Sequence, residues 1–160
     1  MVGLAGCGGN GNGADNGGDG GGETLSGSEY PTVDDWMTES DVGGADGTYD
    51  GTIDDLRDES SVTIDVGSEG NGDGYAYGPS AVAISAGTEV LWEWTGEGGA
   101  HNVVADPAAQ LGESDYEFSS GDAVAGADTE YSFTFEDSGI TLYHCVPHLS
   151  LGMKGSIVVE

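Results

Sequence analysis

The sequence predicts an all-β fold, a Greek-key β-sandwich, preceded by a disordered tether rich in glycine and aspartate. Aromatic and β-branched residues recur at every second position in several short runs, which is the period of a half-buried strand. Turn dipeptides such as Asn71-Gly72 and Asp73-Gly74 punctuate those runs. Between the runs no segment carries a helical period of useful length, so the strands must be joined by turns and loops, as in a sandwich.

In chain order, Leu4-Ala5-Gly6-Cys7 resembles a lipoprotein processing box, in which the cysteine becomes the lipid-modified first residue of the mature protein. Only six residues precede Cys7 and none is basic, so residues 1–7 read as the remnant of a signal and the start as truncated. A single acyl chain binds membranes only reversibly, so stable anchoring at Cys7 requires a second chain. Residues 8–29 hold glycine, asparagine, aspartate and serine with little to bury, and read as a flexible linker. Its typical reach is roughly 25 Å, enough to hold a domain off a surface. No run approaches eighteen apolar residues, the length of a membrane-spanning helix.

Residues 30–160 form one domain with its core at about 49–160, within the usual size of a single folding unit. Pro31 to Met37 begins a short helix, with Thr32 as its N-cap and acids in its first turn, and Trp36 and Met37 cover one end of the domain. Val62, Ile64 and Val66 alternate with Thr63 and Asp65, and Gly67 to Gly74 reads as a turn-rich loop. Val82 and Ile84 make a second short alternation that Ala86-Gly87 closes. Val90, Trp92 and Trp94 share one face of a strand against Glu89 and Glu93, and Tyr131, Phe133 and Phe135 repeat the pattern against Glu130, Ser132 and Thr134. These aromatic rows are core. Ile140 to Tyr143 and Ile157 to Val159 complete the set of strands.

Thirty acidic residues stand against two basic ones, Arg57 and Lys154, for a formal net charge of −28. That balance excludes a nucleic-acid footprint, which needs a basic patch. Dense carboxylates on a folded β-domain suit a halophilic surface, kept hydrated and soluble in concentrated salt; a calcium sink or a DNA mimic is the alternative reading.

Cys145, His148 and Met153 stand at C-x2-H-x4-M spacing in one loop between the two final strands. A thiolate, an imidazole and a weak thioether donor suit copper, and two histidines with one cysteine and a distant methionine make the blue-copper pattern. His144 precedes the cysteine and on a strand points to the opposite face, so among the three histidines His101 remains as the second nitrogen ligand. His101 follows a glycine-rich turn, so it opens a strand at the same end of the sandwich as the Cys145 loop. Cys7 and Cys145 therefore have separate tasks, not a shared disulfide.

His101-Asn102-Val103-Val104, Tyr143-His144-Cys145-Val146-Pro147-His148 and Gly152-Met153-Lys154-Gly155, with Gly78-Pro79-Ser80 and Trp92-Glu93-Trp94, resemble the small blue copper proteins of the plastocyanin type, the halocyanins among them. Tyr49 to Ile53 resembles the first strand of that domain, whereas Asp54 to Asp58 departs from its pattern. The resemblance implies a cupredoxin-like sandwich with one type 1 copper ion held by His101, Cys145, His148 and axial Met153, and with Asn102 tying its strand to the cysteine loop. It also implies that electrons pass at the edge of His148, in an apolar patch of Pro147, Leu149 and Leu151. A second route through an aromatic just before the cysteine is not matched, because His144 stands there. The function so implied is one-electron transfer by a monomer, not an enzyme, between redox donors and acceptors of a respiratory chain. Its place is the extracytoplasmic face of the membrane, anchored by lipid on Cys7.

Copper storage or delivery is the alternative. A second copper centre of the reductase or oxidase kind would need more than three histidines, a Cys-His hydrolase leaves Met153 without a role, and a structural zinc site would prefer a stronger fourth ligand.

Overall fold

The computed structural model describes residues 23–110 and 112–160. Its elements are β1 (Thr24–Ser26), α1 (Pro31–Thr38), β2 (Thr52–Asp55), β3 (Ser61–Gly70), β4 (Asp73–Gly78), β5 (Ala81–Ile84), β6 (Thr88–Trp94), β7 (Val104–Ala105), β8 (Phe118–Ser119), β9 (Glu130–Phe135), β10 (Gly139–His144) and β11 (Lys154–Val159). One sheet runs β4-β3-β6-β9 and the other β1-β2-β5-β11-β10-β7-β8. The all-β two-sheet fold expected from the sequence is the fold observed.

Period-two patterning explains the four-stranded sheet. Val62, Ile64 and Val66 of β3, Val90, Trp92 and Trp94 of β6 and Phe135 of β9 are buried, while Glu89, Glu93, Glu130 and Thr134 are exposed. The seven-stranded sheet is different because both its faces are covered. Val82, Ile84, Ile157 and Val159 point into the core shared with the other sheet. Ala81, Ala83, Leu142 and Val158 point outward into a second apolar cluster with Val33, Trp36 and Met37 of α1. All of β5 and β11 is consequently buried, and Ala81 to Ile84 and Ile157 to Val159 read as continuous apolar runs in place of alternation, with Lys154 and Ser156 buried beside them.

Four local expectations are corrected. The stretch Gly67 to Gly74 is mostly strand: only Asn71 and Gly72 turn, both with positive φ (57° and 111°), because an Asn-Gly pair matches the twist of a tight hairpin. Helix α1 starts earlier than a Thr32 cap allows, with Pro31 in its first turn and Tyr30 as N-cap without a side-chain hydrogen bond. Trp36 and Met37 cover the outer face of the large sheet instead of an end of the domain, since that face would otherwise expose Leu142 and Val158. Thr24 to Ser26, within the stretch read as linker, pairs with β2, and half-buried Leu25 packs on the outer cluster.

Candidate metal centre

The last two strands place the loop. β10 and β11 pair antiparallel from Gly139↔Val159 to His144↔Lys154, so the connection Cys145 to Met153 emerges at one pole of the sandwich. A hydrogen bond from Cys145 N–H to Met153 O (3.1 Å) closes the loop at its base, and Met153 N–H donates to His148 O (3.2 Å). Both the Cys145 and Met153 side chains are fully buried in the shared core.

His101 reaches the same pole from the other side of the chain. It opens no strand: it sits in an isolated bridge with Val124, three residues before β7, because the glycines before it curl the backbone. Trp94 Nε1–H donates to His101 O (3.1 Å), which pins that bridge to the core.

The donor atoms converge. Cys145 Sγ lies 3.7 Å from His101 Nδ1 and 3.5 Å from His148 Nδ1, and the two Nδ1 atoms are 3.2 Å apart. A triangle with these sides has a centre about 2.0 Å from every corner, close to the ~2.0–2.3 Å that a first-row ion such as zinc keeps to imidazole nitrogen and thiolate sulfur. His101 Nε2 is 2.6 Å from Glu97 O, which only an N–H can satisfy, so Nε2 carries the proton and Nδ1 faces its neighbours with a bare lone pair. Two imidazole nitrogens and one thiolate sulfur, with a common centre at bonding distance, make a donor set that fits a bound metal ion.

The electrostatics agree. Burial holds both ligand-candidate imidazoles below the usual histidine range, His148 further through its proximity to His101, so both favour the neutral form that binds metal. Burial pushes the Cys145 thiol up, opposed by the backbone N–H groups of Asn102 and His148, so metal binding must displace its proton.

Asn102 Oδ1 accepts from Val146 N–H (2.9 Å), tying the His101 segment to the cysteine loop. His144 is directed away, as strand alternation requires: it is buried against Trp36 and lies 3.1 Å from Gln110 Nε2. Of the surface residues expected around His148, Leu151 is 45% exposed and Pro147 is exposed, whereas Leu149 is half-buried on the outer cluster beside Val42. Val146 and Val124 were not anticipated from the sequence, yet with Leu151 they are the large hydrophobics exposed among the described residues, and all three adjoin the donor cluster in sequence or by pairing. The Tyr75 ring, 4.7 Å from that of His148, was also missed, because the contact crosses between elements and leaves no local signal. Cys7 lies outside the described residues.

Comparison with known proteins places this geometry. The model of the copper binding proteins of the plastocyanin/azurin family matches residues 62–160. Halocyanin of Natronomonas pharaonis is 43% identical over 128 residues, covering 80% of this chain and 71% of that protein. Plastocyanin of Scenedesmus fuscus is 33% identical over 100 residues, 62% of this chain and 99% of the relative. With a match across more than half its length and a His-Cys-His cluster suited to a type 1 site, the chain belongs to the plastocyanin/azurin family and is a blue copper electron-transfer protein.

Proposed function

We propose that His101, Cys145 and His148 hold the copper ion, with Met153 as its weak axial partner, and that the chain shuttles single electrons between partner proteins of a respiratory chain. The observation that carries this reading is the near-equilateral donor triangle, with its sides of 3.2, 3.5 and 3.7 Å. Copper supplies the one-electron chemistry by cycling between Cu(I) and Cu(II). The protein's part is rigidity: Glu97 O fixes the His101 tautomer, Asn102 fixes the cysteine loop, and the core encloses Cys145 and Met153. Ligands held in one arrangement for both oxidation states leave little to reorganise when an electron moves.

His148 is the half-exposed ligand, and in this reading electrons enter and leave at its edge, within the patch formed by Pro147, Leu151, Val146 and Val124. Partners dock there by short-range apolar contact, because in about 1 M salt the Debye length is only about 3 Å and charge cannot steer from afar. The carrier has no substrate, works as a monomer at the extracytoplasmic membrane face in brine, and is held by lipid on Cys7.

The test is Cu(II) titration of the full chain, followed by visible absorption and electron paramagnetic resonance. An intense visible band with a type 1 resonance is expected, and Cys145→Ser should abolish it. Cu(I) binding without such a band would instead mark a copper-delivery protein and overturn electron transfer.

A further inference from the structure

Asn71 occupies a hairpin turn, where its positive φ of 57° already gives asparagine a reason to be present. Its side chain does much more. The two hydrogens of Nδ2 are shared among Tyr75 O (2.8 Å), Asp46 Oδ1 (3.1 Å) and Gly152 O (3.2 Å), while Oδ1 accepts from Gly47 N–H (2.7 Å). One amide therefore joins three segments: the β3-β4 hairpin, the stretch after α1, and the loop that carries His148 and Met153.

Each segment bears on the donor cluster. Tyr75 places its ring 4.7 Å from the His148 ring. Gly152 directly precedes Met153 and adopts a φ of 101°, and a side chain there would strike Ala45 O of the stretch after α1. That stretch is itself anchored, Gly44 N–H donating to Leu149 O (2.9 Å) and Asp46 N–H to Met37 O (2.9 Å). Residues 42–47 lie outside the family-model match at 62–160, so the strap belongs to the stretch that precedes the matched body.

We infer that the Asn71 amide is a positioning group for the copper loop, clamping Gly152-Met153 and the Tyr75-His148 stack against the Asp46-Gly47 strap. This inference rests on the copper reading above for its consequence, but the clamp itself can be measured without metal.

Two variants separate clamp from turn. Asn71→Gly keeps the left-handed backbone and removes every side-chain bond. Asn71→Asp tolerates the same φ and keeps the acceptor for Gly47, but sets an oxygen against three oxygens. In the metal-free full chain, amide hydrogen exchange at Gly152 and Met153 should quicken roughly tenfold in Asn71→Gly, about the worth of one hydrogen bond, and more in Asn71→Asp, with β6 unchanged. In the copper-loaded chain both variants should retain a visible band, with altered resonance parameters and copper loss to a chelator faster by roughly tenfold or more. Loop exchange equal to wild type overturns the clamp, as do unchanged resonance and release rates. A wild-type chain that gives no blue band refutes the copper reading instead, while the exchange measurement still decides the clamp.

Discussion

Met153 shows at the scale of one residue how the proposed axial ligand is also a core side chain. It is fully buried, and backbone bonds to Cys145 and His148 place it whether or not its sulfur binds anything. Replacing it by leucine conserves volume and should cost less than about 1.5 kcal/mol of stability. It also removes the weak sulfur donor, so Met153→Leu should keep the copper and raise the reduction potential, measurable by spectroelectrochemical titration. Outright loss of the metal would show that the thioether is an anchor and not a tuner.

The element that the sequence described least well is α1 with the stretch that follows it. Its attachment to the large sheet includes a buried ion pair: Lys154 Nζ contacts Glu39 Oε2 (2.7 Å), donates to Trp36 O (3.1 Å) and Glu39 O (3.2 Å), and lies 4.3 Å from the Trp36 ring centroid. Burial alone would raise the Glu39 carboxyl, but the Lys154 ammonium and the N–H groups of Val42 and Asp41 outweigh it and hold the carboxyl below its ordinary 4.5. A carboxylate depressed in the folded state contributes stability that is present above its ordinary value and is lost as pH falls through the folded value. Acid should therefore weaken the seating of α1, leaving the Lys154 charge buried with only carbonyls and a ring for company. Urea midpoints of wild type and Glu39→Gln, compared at about pH 7 and about pH 3.5, should converge in acid. A gap of the same size at both values would rule the pair out as an acid-sensitive fastening.

Across the whole molecule the dominant force to be managed is self-repulsion at −28. Both basic residues are already committed to internal pairs, Arg57 to Asp55 and Glu160, and Lys154 to Glu39. On the outer face of the small sheet Asp65 stands opposite Glu93, and Glu93 opposite Glu130, so three exposed carboxylates line up across adjacent strands. Like charges directly opposed in a sheet destabilise it until counterions screen them. The melting temperature should rise with KCl, and Glu93→Gln should raise it at low salt while narrowing the salt dependence. A melting temperature indifferent to KCl would contradict the brine-adapted reading.

What local sequence could determine was whatever repeats or clusters along the chain. Alternation at Val90-Trp92-Trp94 specified a half-buried strand, Asn71-Gly72 a turn, and the spacing of Cys145, His148 and Met153 placed all three in one loop between the last two strands, because each signal lies within a few residues. Only the folded chain could decide that β5 and β11 are covered on both faces, that α1 lies on a sheet face, and that one amide at Asn71 gathers three segments at the metal pole. The reason is physical: burial and hydrogen bonding between distant segments depend on which surfaces meet, and the periodicity of one segment carries no information about the segment that will cover it.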